Sequence, residues 1–337
     1  MKREAKFLAE YRKLNPQQRQ AVDHIEAGPL LLLAGPGTGK TQVLAMRIAN
    51  ILYKTDAKAE NILALTFTDA AAKNMRERLL NLIGKDAYYV HIETFHAFCR
   101  QVIADFPEYF PLSAESTHLS DLEKFDLIEK LLDKHKPQRL RPLNIPYLYV
   151  RDLIRAISDL KRENIDVLAF EEIVSAEADQ LEELRTESKA QGKIRDAQKE
   201  FEKHQELLLL YKEYQNYLEQ EKRFDYDDMI NFVVSAFRQH EDLLREYQEN
   251  LHYFLVDEFQ DTNSAQNALL NLLAAYWEEQ GSVADLFVVG DPNQAIYRFQ
   301  GASVENVLSF TRQYPDARVL NLEQSYRCPQ IYYDIAG

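Results

Sequence analysis

The residues best suited to chemistry stand together in Leu31-Leu32-Leu33-Ala34-Gly35-Pro36-Gly37-Thr38-Gly39-Lys40-Thr41. An apolar run enters a glycine-rich turn, and the turn ends in Lys-Thr where a helical pattern begins. Such a turn holds phosphate: backbone N–H groups of the loop and of the following helix's first turn converge on the phosphate oxygens. Gly35, Gly37 and Gly39 are expected to supply backbone angles and close approach that side chains would block. Pro36 and Thr38 complete the loop. Lys40 would reach the β- and γ-phosphates and the Thr41 hydroxyl a Mg²⁺ ion. The pattern's usual first glycine is replaced here by Ala34, a change of one methyl group.

A phosphate loop of this kind needs an acid at the end of a second buried strand, and Leu255-Val256-Asp257-Glu258 offers one. Asp257 is expected to hold Mg²⁺. Glu258 stands next to it, placed to orient and deprotonate an attacking water.

The flanking sequence supplies the elements that must position these groups. Asn15 is a suitable N-cap, with Pro16 at the first position of the helix that follows. Strands are expected over 30–34, 61–67, 88–94, 253–257, 285–291 and 318–322, and helices over 6–14, 40–53, 69–83, 95–105 and 264–279. Strand–helix alternation implies an α/β fold with a mostly parallel sheet. Between about 106 and 222 no strand is expected. Leu122, Phe125, Ile128, Leu131 and Leu132 have helical spacing, as do Leu207, Tyr211, Tyr214 and Leu218, and the stretch is rich in acid from residue 171 onward. The domain reading is therefore one α/β domain in two segments, 1–105 and 223–337, interrupted by an all-α insertion over 106–222.

Composition sets wider bounds. At 337 residues the chain is long enough for two domains. The net charge of −14 does not itself point to nucleic acid, but binding depends on a local groove and not on the sum. Two cysteines, Cys99 and Cys328, show no metal-ligand spacing, which suits a reducing cytoplasm. No apolar run approaches a membrane span, so no membrane partner is expected. A helical pattern starting after Pro329 runs only to Gly337, and a longer parent protein is expected.

Taken in chain order, these stretches resemble the superfamily 1 DNA helicases of the UvrD/Rep type. Asp257-Glu258-Phe259-Gln260-Asp261-Thr262 is similar to that family's motif II, and Leu14-Asn15-Pro16-Gln17-Gln18 to its Q motif. Ala64-Leu65-Thr66-Phe67-Thr68-Asp69-Ala70-Ala71 and Thr94-Phe95-His96 resemble motifs Ia and Ib. Phe224-Asp225-Tyr226-Asp227-Asp228-Met229 resembles the short motif that reopens the first motor domain. The run from Gly290 through Asp291-Pro292-Asn293-Gln294-Ala295-Ile296-Tyr297-Arg298-Phe299-Gln300 to Ala302 resembles motif III, and Leu322-Glu323-Gln324-Ser325-Tyr326-Arg327 motif IV.

The resemblance implies a RecA-like P-loop domain with ATP and Mg²⁺ as cofactors and single-stranded DNA, including single/double-strand junctions, as partner. It implies 3′→5′ translocation in repair or replication, with repair or replication proteins as further partners; oligomeric state is not readable. Gln18 would read the adenine edge and Tyr326 stack on it. Gln294 would sense the γ-phosphate, and Arg327 would place a cation there as charge develops. Phe67, Thr68, Thr94 and His96 would meet DNA, and Tyr297 and Phe299 would offer faces for its bases. Asp69, Phe299 and Gln300 depart from the family's usual Asn, Trp and Arg. The family's motor has a second RecA-like domain after motif IV, so the chain alone is expected to hydrolyse ATP weakly and not to unwind duplex. Two other functions share these features: the helicase part of a recombination helicase–nuclease, and a module that uses ATP as a switch to dock proteins.

Overall fold

The structure is a computed structural model that describes residues 2–112, 116–187, 191–279, 284–291 and 304–326. Gln294, Tyr297, Phe299, Gln300, Arg327, Cys328 and the expected last helix lie outside the described residues.

The described elements follow in chain order. The first are α1 (Lys2–Tyr11), α2 (Pro16–Asp23), β1 (Leu30–Ala34), α3 (Lys40–Lys54), β2 (Ile62–Thr66), α4 (Asp69–Ile83), β3 (His91–Thr94) and α5 (Phe95–Asp105). Next come β4 (Thr117–His118), α6 (Asp121–His135), α7 (Val150–Arg162), α8 (Val167–Glu187), α9 (Gln191–Gln220), β5 (Arg223–Phe224), α10 (Asp228–Gln239) and α11 (Glu241–Asn250). The last are β6 (Tyr253–Val256), α12 (Ser264–Glu279), β7 (Asp285–Gly290), α13 (Val304–Gln313) and β8 (Arg318–Leu322). The chain divides into two compact units, one from Met1–Val102 with Val234–Gly337 and the other from Ile103–Val233.

The first unit is built on a six-stranded sheet in the order β3-β2-β6-β7-β1-β8. Every described pairing in it is parallel, so all six strands deliver their following loops to one edge, where ligands of open α/β sheets bind. The inner strands β2, β6 and β7 are buried throughout, which is why they read as unbroken apolar runs. β7 lies between β1 and β6 and so separates the phosphate loop from the acidic pair. Arg47 of α3 is fully buried, ion-paired with Asp285 and stacked 4.6 Å from the Phe287 ring centroid. It ties α3 to the start of β7.

Three expectations are corrected. The third strand begins at His91, not at 88, because Gly84–Tyr88 forms a 3-10 helix. The Arg76 guanidinium collects the carbonyls of Ala87, Val90 and Ile92 there, and Tyr88 and Tyr89 project into solvent. The first helix occupies Lys2–Tyr11, since the chain must turn before the cap at Asn15. The stretch read as free of strands contains β4, which pairs in parallel with β5.

The second unit packs α6, α7, α8 and α9 around Ile128, Leu132, Ile157, Phe170, Leu210 and Tyr214. Against that core lies a buried ionic cluster. Lys161 Nζ sits 2.6 Å from Asp225 and 2.7 Å from Asp228, and the Tyr214 hydroxyl donates to Asp225 at 3.0 Å. Burial pushes both carboxyls up. At Asp225 the Lys161 charge and hydrogen bond prevail and hold it down at about 2, whereas Asp228, repelled by Asp225, remains raised to about 6.

Candidate functional site

The phosphate loop follows β1, and its carbonyl oxygens are taken in succession. Gly35 O accepts from the Thr38 hydroxyl at 2.8 Å, and Pro36 O from the Ser325 hydroxyl at 3.0 Å. Gly37 O accepts from the Tyr326 N–H at 2.8 Å, and Thr38 O from the Gln18 amide at 2.9 Å. No peptide bond among the described residues is cis, so each N–H in these units faces away from its held oxygen. The N–H groups of Gly37 and Gly39 therefore point away from the Ser325 and Gln18 side chains. They add to the free N–H groups at the N-terminus of α3 to make an anion cradle.

Two of the three glycines are required by the protein itself. Gly37 and Gly39 have φ of 77° and 90°, and a Cβ on Gly39 would meet Gln18 Nε2 at 3.0 Å. Gly35 differs from expectation. It has no left-handed φ, and a Cβ there would only touch Thr38 at 4.0 Å. Only close approach by a phosphate would call for glycine at that position. Ala34 is buried in the core, so its methyl group has a place.

Gln18 is buried, and both ends of its amide are engaged. Its Oε1 accepts from Asn15 N at 3.0 Å, while Asn15 Oδ1 accepts from Gln18 N at 2.8 Å, a reciprocal cap on α2. Its Nε2 holds the phosphate loop. Tyr326 is 58% exposed, which leaves a ring face open beside the loop, and its hydroxyl accepts from Asn15 Nδ2 at 3.1 Å.

Across β7, Lys40 Nζ lies 2.7 Å from Glu258 Oε2. Glu258 has a left-handed backbone with φ of 50°, a strained conformation for a residue with a side chain, directly after β6. The Glu258 N–H donates to Asp257 Oδ1 at 3.0 Å. Asp257 is buried, and its carboxyl is raised to about 6 by burial and then by the Glu258 charge, against the pull of Lys40. A buried carboxyl beside a second acid suits a divalent cation, which would restore its charged form. With the Thr41 hydroxyl at the start of α3, the donors are oxygens, as Mg²⁺ requires.

The other expected residues occupy the same sheet edge. Phe67 follows β2 and is 47% exposed. Thr66 and Thr94 are register partners of β2 and β3, so the Phe67–Thr68 and Thr94–His96 segments are neighbours. The Thr68 and Thr94 hydroxyls already act as helix caps, accepting from Ala71 N and Ala97 N. His96 lies half-buried in the first turn of α5, and Asp69 is exposed at the start of α4, where the helix dipole favours an acid.

Some contacts at the site were not legible from sequence. Ser325 and Asn15 hold the phosphate loop and Tyr326. Gln260, 1% exposed, donates to Glu258 Oε2 at 2.9 Å and accepts from Asp291 N at 2.9 Å. Each lies within or beside a motif, but its partner is distant in sequence.

The family model described as UvrD/REP helicase N-terminal domain matches residues 14–315. The chain is 35% identical over 318 residues to the ATP-dependent DNA helicase PcrA of Staphylococcus epidermidis, covering 94% of this chain and 38% of that protein. It is 34% identical over 326 residues to PcrA of Staphylococcus aureus, covering 96% of this chain and 39% of that one. The chain thus spans about two-fifths of the length of these relatives.

Proposed function

The chain belongs to the UvrD/REP helicase N-terminal domain family, and on that premise we propose that it is the nucleotide-binding part of an ATP-driven, 3′→5′ single-stranded-DNA translocase. The RecA-like ATPase domain comprises 1–105 and 223–337, with 106–222 as a helical insertion. The observation that supports this reading best is the convergence of the stapled phosphate loop, Lys40 and the Asp257–Glu258 pair at one sheet edge.

In this reading Lys40 and the loop N–H groups bind the terminal phosphates of ATP, and Tyr326 presents its ring to the base. Thr41 and Asp257 hold Mg²⁺, which when bound neutralises phosphate charge. Glu258 orients the attacking water and takes its proton, and Arg327 lies near the γ-phosphate. Gln294 senses that phosphate. DNA passes over Phe67, Thr68, Thr94 and His96 and stacks on Tyr297 and Phe299. The relatives named PcrA are more than twice as long, and unwinding belongs to the longer protein. The chain alone is expected to bind Mg·ATP and turn it over slowly. Among the described residues no helix is long and apolar enough to cross a membrane.

The test is the steady-state ATPase rate with and without oligo-dT, with Glu258→Gln as the blank. A rate that rises with DNA and vanishes in the blank supports the reading. ATP binding that is lost in Lys40→Ala, together with indifference to DNA in every assay, would instead favour an ATP-switched protein-binding module.

A further inference from the structure

The loop between α6 and α7 is apolar where a loop is ordinarily polar. Leu143 is 93% exposed, more than any other large apolar side chain among the described residues, and Ile145 is 57% exposed, with Tyr147 and Leu148 exposed beside them. Such exposure forgoes the free energy of burial, and contiguous apolar surface marks contact with another protein. The loop is not slack. Glu206 of α9 accepts from the N–H groups of Gln138, Arg139 and Leu140 at 2.7, 2.9 and 2.9 Å. Arg139 pairs with Glu202 at 2.7 Å and Arg141 with Asp133 at 2.8 Å, and the Tyr147 hydroxyl donates to Asp133 at 2.7 Å. Pro137, Pro142 and Pro146 fix their own φ angles. A prong held this firmly loses little freedom on docking.

A receptor of matching character lies on the same unit. Between α8 and α9 is a cavity of about 380 Å³, lined by Leu181, Leu184, Ala197 and Phe201 and edged by Gln180 and Glu200. The charges are complementary. From Lys134 to Arg151 the sequence has no acidic residue, whereas every charged residue of α8 except Arg185 is acidic. Leu143 stands in solvent, so it does not enter the cavity of its own copy. Both features rest on one stretch of α9: Phe201 lines the cavity, and Glu202 and Glu206 hold the loop.

We propose that the loop 137–149 docks in the α8–α9 cavity of a second copy of this chain, with Leu143 and Ile145 entering between Leu181, Leu184 and Phe201. Because prong and receptor share one stretch of α9, a two-fold axis beside that helix satisfies both at once: each copy gives its loop and receives the other's. The interface is isologous and closes at a dimer. The proposal goes beyond the reading as an ATP-driven translocase and does not depend on it.

The test is the mass of the full chain in solution, by sedimentation equilibrium over a range of concentrations without nucleotide or DNA. The mass should rise from that of one chain toward twice that value. Leu143→Glu changes a side chain that its own copy leaves in solvent. It should keep the melting temperature and weaken association by about 30-fold or more, the cost of removing a hot-spot side chain. Ala197→Arg fills the cavity and sets a cation against the basic loop, and should weaken association as much. Gln180→Arg, at the exposed rim, serves if that variant does not fold. The decisive measurement is a mixture. Leu143→Glu retains an intact cavity and Ala197→Arg an intact loop. Together they restore one of the two contacts and should form mixed dimers more tightly than either forms with itself. Indiscriminate apolar adhesion gives no such rescue. A wild-type chain that stays a monomer at every concentration overturns the proposal. So does association that survives Leu143→Glu, association that is lost in Leu143→Glu but kept in both cavity variants, or a mixture without rescue. Each of these outcomes leaves the functional reading untouched.

Discussion

Lys40 Nζ and Glu258 Oε2 stand 2.7 Å apart, so the cation meant for phosphate and the candidate base neutralise each other across β7. On the proposed function, a phosphate entering the loop would compete with Glu258 for Lys40 and release Glu258 as it is gripped. Lys40→Ala should therefore abolish binding of a fluorescent ATP analogue. Glu258→Gln removes the competing charge, so it should bind the analogue at least as tightly as wild type while turnover falls by about 10²–10⁴-fold. Weaker analogue binding in Glu258→Gln would contradict the competition.

Ser325 holds the Pro36 carbonyl. Ser325→Ala should leave the melting temperature nearly unchanged, since the hydroxyl is exposed. It should weaken nucleotide binding by several-fold, in line with about 1 kcal/mol for a lost hydrogen bond. Isothermal titration with Mg·ATP analogue reads the change directly.

A side chain at Gly290 would crowd Gln260. The Cβ of Gly290→Ala would press on Gln260 Oε1 at 3.1 Å and Gln260 N at 3.4 Å, and Gln260 is held by three hydrogen bonds. Overpacking of this kind costs about 1–3 kcal/mol. Urea denaturation should show the midpoint falling with no change in slope.

The Lys161 cluster makes stability depend on pH. Asp225, held at about 2, is depressed below its ordinary 3.8, so its contribution is present above that value and is lost as pH falls through about 2. Asp228, raised to about 6, acts in the opposite sense: its contribution is full below the ordinary value and is lost as pH rises through about 6. Asp228→Asn removes the second dependence. Its urea midpoint should gain on wild type as pH rises from about 4 to about 7. Lys161→Met leaves two buried carboxyls without their cation and should cost about 3–5 kcal/mol.

Phe67 and Thr68 separate a surface role from a structural one. Phe67 is 47% exposed, so Phe67→Ala should change stability by no more than about 0.5 kcal/mol. If bases stack on it, oligo-dT affinity should fall by about 1–3 kcal/mol. Thr68 caps α4, so Thr68→Ala should lose about 1 kcal/mol of stability. An unchanged DNA affinity in Phe67→Ala would remove that residue from the DNA path.

The α/β half was legible because its signals are local. The run from Leu30 to Thr41 contains its strand, turn and helix start within a dozen residues, and Asn15-Pro16 announced the cap that α2 displays. Tyr88 and Tyr89 misled because two aromatic residues before Val90 look like a strand, and only Arg76, eleven residues or more away, shows why the chain turns there. Ser325 and Gln260 stood in quoted motifs, but their partners Pro36 and Asp291 are brought close only by the sheet order. Lys161 gave no sign at all: a lone lysine in an amphipathic helix pattern reads as surface, and its two aspartates stand more than sixty residues further along the chain.

The phosphate loop's four held carbonyls have a consequence for kinetics. A peptide unit is rigid, so an anchored oxygen fixes the direction of the dipole behind it. The loop therefore meets its ligand already polarised, with the reorganisation done during folding and not during capture. Association at such a site should be limited by encounter and by the departure of Glu258 from Lys40, and should show little of the lag expected where a glycine-rich segment must first find its shape.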